Sequence, residues 1–192
     1  MIELALENST EEGSLALAVE TEPLWTATFR GAGQLALALA GARKRVPRFD
    51  RVVVGTGPGS YSGLRIAAAT AIGLEAAFGC ELAGCLSILG FAGQDYAIAG
   101  NARRGTFFFA RVREGQVVDG PRLVPTETLA GLWTAQHGVP GFAVTPLPEG
   151  LNAERRAPSA RYLLSRRSAW TDSVEPRYLK EPHVTTPKTA TG

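Results

Sequence analysis

Hydrophobic patterning divides the first fifty residues into three short strands and a helix. Three apolar or alternating segments, 2–6, 14–19 and 24–29, are separated by polar, turn-forming residues and predict three strands joined as hairpins. From Gly33 to Arg45 leucines and alanines run on without a turn signal to a basic end, which complements the dipole of a helix at its carboxyl terminus. The sequence therefore predicts a meander followed by a helix.

The central stretch, residues 51–79, predicts a buried strand, a glycine-rich corner and an alanine-rich helix. The run Val52–Val54 lacks polar alternation, which is typical of a parallel strand buried on both faces. In the corner, residues 55–63, several glycines and a proline allow a tight reversal, and Ser60 or Ser62 caps the helix. Apolar residues surround this helix, so we expect more than one of its faces to be covered.

A strand over 81–86, a short helix over 87–94 and another strand over 96–99 follow. Three strands and then alternating helices and strands predict one mixed sheet with helices on both faces, the order of ribonuclease H-like and actin-like ATPase lobes. The second half predicts less regular elements, namely a hairpin over 106–118, a helix over 125–136, a strand over 142–144 and a helix over 159–167. The polar, proline-interrupted residues 181–192 are predicted to be disordered.

Composition narrows the function classes. With 192 residues, of which 45% are hydrophobic, the chain can bury a substantial core. A net charge of +2 is far from the basic excess of a protein whose main work is gripping nucleic acid. No apolar stretch approaches the roughly 20 residues of a membrane helix, and the amino terminus lacks a signal-type core. We therefore expect a cytoplasmic protein without membrane association.

The glycine corner stands where phosphate-binding loops stand, between a strand and a helix. Yet no Lys-Ser or Lys-Thr pair follows its glycines, and Ser62 occupies the position at which a dinucleotide fingerprint needs glycine. Neither Ser60 nor Ser62 has the flanking glycines of a nucleophile elbow. Two interpretations stay open, a tight turn that packs strand against helix and a direct anion site, and the residues favour the turn.

Metal and charged constellations are sparse. The histidines, His137 and His183, lie far apart, so a zinc site is not expected. Glu7, at the end of the first strand, is either a Mg²⁺ ligand near nucleotide phosphates or, as the pattern favours, a solvated strand end. The basic run 43–51 either contacts tRNA phosphates or forms a solvated helix end, which is favoured. For Arg103 and Arg104 the sequence does not decide between solvation and pairing with carboxylates.

One known family shares these motifs. The stretch Gly57–Ile66, with the sequence GPGSYSGLRI, resembles the central glycine motif of the TsaB (YeaZ) family, and Ala69–Leu74 continues the likeness. Weaker matches fall in the same order along the family pattern, at Glu7–Thr10, Asn101–Gly105 and Pro176–Pro182. Glu7 and Asn101 replace the usual aspartates of the family, which weakens any nucleotide or metal role.

The resemblance implies a two-lobed α/β fold, actin-like ATPase or ribonuclease H-like, with a mixed sheet flanked by helices and a reduced second lobe. The lobes are expected at residues 1–99 and 100–180, with 181–192 as a tail. It also implies a chain without catalytic activity that helps TsaD transfer threonylcarbamoyl to ANN-decoding tRNAs. No cofactor of its own is expected, ATP and Mg²⁺ being possible only in complex with the TsaD-like partner.

In the family the two helices of the first lobe pack against TsaD, or against a second copy as a homodimer when TsaD is absent. A TsaE-like ATPase is a further partner, and tRNA contact is expected to be indirect or weak. The residues expected at the helical interface are Leu35, Leu39, Ile66, Thr70, Gly73, Leu74 and Ala77. Those expected in a structural loop are Gly57, Pro58, Gly59, Ser60, Gly63 and Arg65. Glu7 and Ser9 mark a possible vestigial nucleotide or metal site.

The alternative is an enzyme of the same superfamily, an ATP-dependent kinase or a peptidase-like protein. A kinase needs acidic Mg²⁺ ligands in a cleft and a second phosphate loop, and the sequence shows no such loop after Asn101. Calorimetry with MgATP separates the two hypotheses, because micromolar binding by the isolated chain would favour the kinase.

Overall fold

The computed structural model describes residues 1–136 and 138–180 and folds them into two five-stranded sheets and four α-helices. The predicted disordered tail and His137 lie outside the described residues. The strands are β1 (Ile2–Glu7), β2 (Gly13–Val19), β3 (Glu22–Phe29), β4 (Arg51–Gly55), β5 (Glu81–Cys85), β6 (Tyr96–Asn101), β7 (Thr106–Arg113), β8 (Gln116–Pro125), β9 (Gly141–Ala143) and β10 (Glu154–Arg155). The helices are α1 (Gly31–Arg43), α2 (Tyr61–Phe78), α3 (Thr126–Thr134) and α4 (Ala160–Leu164).

The first sheet has the order β3-β2-β1-β4-β5. The first three strands are antiparallel, and β4 and β5 run parallel to β1, as the alternation in the sequence predicts. Because side chains alternate between the faces of a strand, Leu4 and Leu6 point to one face and Ala5 to the other. The leucine face packs against α1 and α2, so both helices cover the same side of the sheet.

The second sheet has the order β10-β9-β6-β7-β8, and α3 packs on its outer face. Here one sequence-based prediction is wrong: β6 does not extend the first sheet but pairs with β7 and β9 of the second. The helix predicted over 87–94 shrinks to a 3-10 turn over Ser87–Leu89, because backbone carbonyls in the following loop accept hydrogen bonds from buried Arg166 instead. The lobe boundary expected at residue 99 falls inside β6.

Helix α4 lies between the two sheets and joins their cores. It packs on β1, β2 and β4 of the first sheet, and its Leu163 shares one buried cluster with Ile98 and Phe108 of the second. The face of the first sheet that receives α4 carries small side chains such as Ala5 and Ala16, which leave room for a helix to approach closely. Helix α4 therefore covers the face of the first sheet that lies opposite α1 and α2.

Most of the basic run 43–51 is held by partners within the chain. Arg51 contacts the carboxylates of Glu3 and Glu81, and Arg48 contacts Asp50. The Arg43 guanidinium lies 4.6 Å from the ring centre of Phe78. The sequence favours a solvated helix end, whereas these three arginines are paired within the chain.

Across the described part of the chain, no helix has the length and hydrophobicity that a membrane span requires.

Candidate functional site

The glycine corner after β4 packs directly on the turn between β1 and β2. The Ser60 backbone N–H donates to the Ser9 carbonyl at 2.7 Å, and the Asn8 side-chain amide donates to the Gly63 carbonyl at 3.0 Å. A Cβ atom on Gly59 would lie 2.3 Å from the Ser9 oxygen. Because real Cβ contacts are never this short, glycine is required here for close approach of two backbone segments.

The other side of the corner is fastened to the 3-10 turn that follows β5. The Gly57 N–H donates to Ser87 Oγ at 2.9 Å, and the Ser87 N–H donates back to the Gly57 carbonyl at 2.8 Å. The peptide bond between Gly57 and Pro58 is cis, and both residues are buried. With two of its N–H groups already bonded within the chain, this corner packs as a tight turn, the favoured interpretation from the sequence.

Helix α2 begins with the predicted serine cap. Ser60 Oγ accepts a hydrogen bond from the Gly63 N–H at 3.2 Å, so Ser60 and not Ser62 is the capping residue. Arg65, assigned to the loop from the sequence, is exposed on the first turns of the helix and donates to Tyr61 Oη at 2.7 Å. It therefore faces solvent instead of bracing the corner.

Glu7 is fully buried at the end of β1. The Ser9 N–H donates to its Oε1 at 2.6 Å, while its Oε2 has no hydrogen-bond partner within the described residues. Burial raises the pKa of this carboxyl above its ordinary value. A Cβ atom on Gly55 would lie 1.8 Å from Oε2, so the neighbouring strand closes over the group. The expected solvated strand end is thus wrong, because the side chain points into the protein.

The surroundings of Glu7 do not fit a Mg²⁺ site. Mg²⁺ prefers ionised carboxylates and retained water, whereas this carboxyl is sealed from solvent and its burial raises its pKa. In the described ranges no three His, Cys, Asp or Glu side chains cluster in a way that would hold a metal. The expectation that the chain has no cofactor of its own stays a prediction.

The two cysteines offer no exposed nucleophile. Both Cys80 and Cys85 are free and buried, as expected from the sequence. Burial, reinforced by nearby Glu7, raises the pKa of the Cys85 thiol to about 12, so this thiol stays protonated at neutral pH.

The outer faces of α1 and α2 are exposed and mostly apolar. Ile66 is 37% exposed and Ile72 52% exposed, and between them Ala69, Gly73 and Ala76 form a strip of small residues at helical spacing. Leu74 and Thr70, at one edge of the strip, are half-buried, and Ala77 is exposed. This surface, the exposed faces of α1 and α2, is called the helical face below.

On α1, one of the leucines expected at the helical interface is buried in the core. Leu35 is only 4% exposed and packs in the core beneath the first sheet, so it cannot supply contact area to a partner. Leu39 is half-buried, whereas Leu37 is 74% exposed and points outward. Because successive residues of a helix rotate by about 100°, positions 35, 38 and 42 share the core side and position 37 faces away. Helical phase alone would have identified Leu37.

Comparisons with known proteins agree with this architecture. The solved structure described as YeaZ from Pseudomonas aeruginosa matches with a TM-score of 0.74 and 23% identity, covering 93% of this chain and 99% of that one. Residues 34–113 match the family model described as TsaD, tRNA N6-adenosine threonylcarbamoyltransferase. The uncharacterized protein Rv3421c of Mycobacterium tuberculosis is 30% identical over 152 residues, which cover 76% of this chain and 71% of that protein. The chain belongs to the same family as Rv3421c, and its fold is that of the YeaZ structure.

A second mycobacterial relative of this chain is longer than the region it shares. The uncharacterized protein ML0378 of Mycobacterium leprae is 33% identical over 131 residues, which cover 61% of this chain but only 36% of that protein. The structural match confirms the α/β, actin-like ATPase-type fold that the motifs indicate. It covers both sheets, because 93% of the chain is aligned.

Sequence reasoning missed three residues of the chain that hold the site. Ser87 fastens the glycine corner, Tyr178 packs against Tyr61 with ring centres 4.7 Å apart, and buried Arg166 orders the loop after Ser87. The position of Ser87 just beyond the carboxyl end of a parallel strand, where α/β proteins gather their sites, was an available signal. Nothing local in the sequence connects Tyr178 with Tyr61.

Proposed function

We propose that this TsaB-like chain is a non-catalytic scaffold that binds and activates a TsaD-like partner during threonylcarbamoyl modification of ANN-decoding tRNAs. The relationship to the TsaD and YeaZ proteins supports a role in tRNA modification. A TsaE-like ATPase joins the complex, and a second copy of the chain occupies the partner's place when that partner is absent. The complex works in the cytoplasm.

The observation that carries this proposal is the helical face. From Gly31 to Ala42, α1 contains no charged residue, and on α2 the charges are limited to Arg65 and Glu75. Large apolar side chains are exposed here, although the core beneath is already filled by leucines and valines of the sheet. An apolar, small-residue surface with so few charges allows two helices of a partner to approach closely, and its burial stabilises association.

The interior of the site favours a scaffold over an enzyme. Glu7 is closed off from solvent, the Cys85 thiol is protonated at neutral pH, and the Gly57 and Ser60 N–H groups are already bonded within the chain. None of these groups can reach a substrate without displacing the packing of the corner. Catalysis is therefore assigned to the TsaD-like partner.

The proposal is tested by replacing Gly73 on the helical face with glutamate. The space around this glycine is open, so Gly73→Glu leaves the monomer folded but places a charge where the partner's helix must approach. We expect copurification of the full chain with a TsaD-like protein to be lost. Gly131→Glu is the matched control, since Gly131 is also an exposed helical glycine with open space around it, on α3 of the other sheet.

Retained copurification of the Gly73→Glu variant would contradict the proposal, as would equal loss in the Gly131→Glu control. Thermal unfolding of both variants, followed by circular dichroism, separates a docking defect from a folding defect.

A further inference from the structure

We infer that a second surface, formed where the carboxyl-terminal segment crosses from the glycine corner to the turn between β6 and β7, binds RNA directly. This inference rests on the proposed role in tRNA modification and assigns the tRNA contact to this chain. The surface comprises five cations and two tyrosines, and it is called the cationic crossing below. Its members are Tyr61, Arg65, Arg103, Arg104, Arg177, Tyr178 and Lys180.

Contacts along the carboxyl-terminal segment place these side chains side by side. The Arg177 N–H donates to the Thr56 carbonyl at 2.8 Å, which fixes this residue on the glycine corner. Three residues later Lys180 Nζ donates to the carbonyls of Ala102 and Arg103, at 3.0 and 3.3 Å. Since three residues span at most about 10 Å, the corner and the turn between β6 and β7 lie within one short crossing.

The turn between β6 and β7 presents its two arginines outward. Arg103 and Arg104 have φ angles of +67° and +56°, a conformation that is uncommon for residues other than glycine. The Asn101 side chain accepts from the Arg103 N–H at 2.6 Å, and Lys180 Nζ donates to the Arg103 carbonyl. Both guanidinium groups are exposed, so the turn is held in a shape that offers two cations to solvent.

Neighbouring carboxylates do not neutralise this charge. In residues 1–136 and 138–180, no carboxylate oxygen lies within 4 Å of any of the five cations, although Glu127 and Glu175 stand on adjoining segments. Elsewhere Arg30, Arg122 and Arg156 each pair with an acidic residue. The sequence leaves open whether Arg103 and Arg104 are solvated or paired with carboxylates. Within the described residues they are solvated, so their N–H donors are available to an external anion.

The aromatic pair favours RNA over an acidic protein as the occupant. Tyr61 and Tyr178 pack against each other with their ring planes tilted by 32° and remain 42% and 38% exposed, and the Arg65 guanidinium lies 5.3 Å from the centre of the Tyr61 ring. Unpaired bases stack on exposed aromatic rings and on arginine planes, while the surrounding cations bind phosphates. An acidic protein needs the cations alone, whereas this surface also offers a stacking platform.

The test measures binding of an unmodified ANN-decoding tRNA transcript to the full chain by fluorescence anisotropy over a range of KCl concentrations. We expect the double variant R103Q/R104Q to weaken binding about tenfold or more near 0.1 M KCl. We also expect it to lower the slope of log affinity against log salt by about one for each lost phosphate contact. The double variant K44Q/R113Q, which removes two exposed cations outside the cationic crossing, should bind like the wild type.

A tyrosine variant separates base stacking from charge. Tyr178→Leu should weaken tRNA binding about fivefold or more without changing the salt slope, because it removes no cation. Equal affinity of wild type and R103Q/R104Q, or equal weakening in K44Q/R113Q, would overturn the inference. So would polyglutamate binding as tightly as tRNA with the same dependence on Arg103 and Arg104, since that result assigns the surface to an acidic protein.

Arg103 and Arg104 lie outside the helical face, although Tyr61 and Arg65 of the cationic crossing stand on the first turns of α2. R103Q/R104Q should still copurify with the TsaD-like protein, and Gly73→Glu should still bind tRNA. If copurification fails to depend on Gly73 while tRNA binding depends on the arginines, the scaffold proposal falls and the RNA surface stands. If copurification depends on Gly73 while tRNA binding does not depend on the arginines, the RNA inference falls and the scaffold proposal stands.

Discussion

At the scale of single residues, the buried carboxyl of Glu7 determines how the β1 end is built. Its neighbours are a glycine that must lack a side chain, Gly55, and the backbone N–H of Ser9. A carboxyl sealed in this way prefers to keep its proton, which is why burial raises its pKa. The folded state therefore binds a proton at this position more tightly than the unfolded chain does.

This preference makes stability depend on pH in a defined direction. A raised pKa in the folded state means that the stability of the wild type falls as pH rises above the ordinary value of 4.5, until the folded carboxyl has ionised. Each tenfold difference in proton affinity corresponds to about 1.4 kcal/mol. Glu7→Gln removes this titration, so we expect the variant to gain stability relative to wild type as the pH rises above about 4.5, measured by urea unfolding.

Glu11→Gln is the control, because Glu11 is 88% exposed and only loosely paired with Arg30. Its difference from the wild type should stay nearly constant over the same range. A pH-independent difference between Glu7→Gln and the wild type would show that the carboxyl has an ordinary pKa in the folded chain.

Several residue-level features could be predicted from the sequence, and others could not. The serine cap and the glycine corner follow from local backbone chemistry, so the sequence could identify Ser60 as a candidate capping residue. The burial of Glu7 depends on Gly55 in a strand that is distant in sequence, and alternation along β1 does not reveal which neighbour covers its end. The exposure of Leu37 instead of Leu35 was accessible through helical phase.

At the scale of elements, one buried arginine decides where a predicted helix stops. Arg166 is 6% exposed and donates to the carbonyls of Leu89, Phe91 and Gly93 and to the side chain of Gln94. These acceptors belong to the loop that connects the two sheets, and they are turned toward the arginine instead of continuing a helix. The connection between the sheets therefore depends on a side chain more than 70 residues away.

Removing this side chain should be costly. Arg166→Met leaves several buried acceptors without a donor, and we expect the free energy of unfolding to fall by about 3 kcal/mol. Urea denaturation at neutral pH measures it, with Arg161→Met as the control on exposed α4 surface, where we expect a change within about 0.5 kcal/mol. A loss for Arg166→Met no larger than that of the control would mean that water replaces the guanidinium.

Elements that depend on local sequence could be predicted, and those that depend on distant contacts could not. Strands β1 to β5 and helices α1 and α2 follow from apolar runs and glycine positions, and they were found close to their bounds. Periodicity finds a strand but does not say which strand it pairs with, so β6 was assigned to the wrong sheet. Strand β10 has two residues and β8 runs through Pro121, so neither gives a clear strand pattern.

At the scale of the whole molecule, the ends of the parallel strands meet at a closed corner instead of an open cleft. The N–H groups of Gly57 and Ser60 point into the chain, and Glu7 is covered. These groups are therefore engaged within the chain, and the expectation that the isolated chain holds no nucleotide or metal stays a prediction.

We expect isothermal titration calorimetry of the isolated chain with MgATP to show no saturable heat at micromolar concentrations, because the Gly57 and Ser60 N–H groups of the corner are bonded within the chain. A nucleotide-binding kinase titrated in the same buffer serves as the positive control. Micromolar binding by the isolated chain would instead favour the kinase hypothesis and require the corner to open.

The position of α4 between the sheets also has a consequence for biosynthesis. A ribosome delivers β1 to β5 early, yet the alanine-lined face of their sheet is covered by residues 160–164, near the end of the described chain. While translation continues, that face has no native cover of its own. The sheet of the amino-terminal half must therefore wait until residues 160–164 have been synthesised before this face gains its native cover, so the two halves do not complete their folding separately.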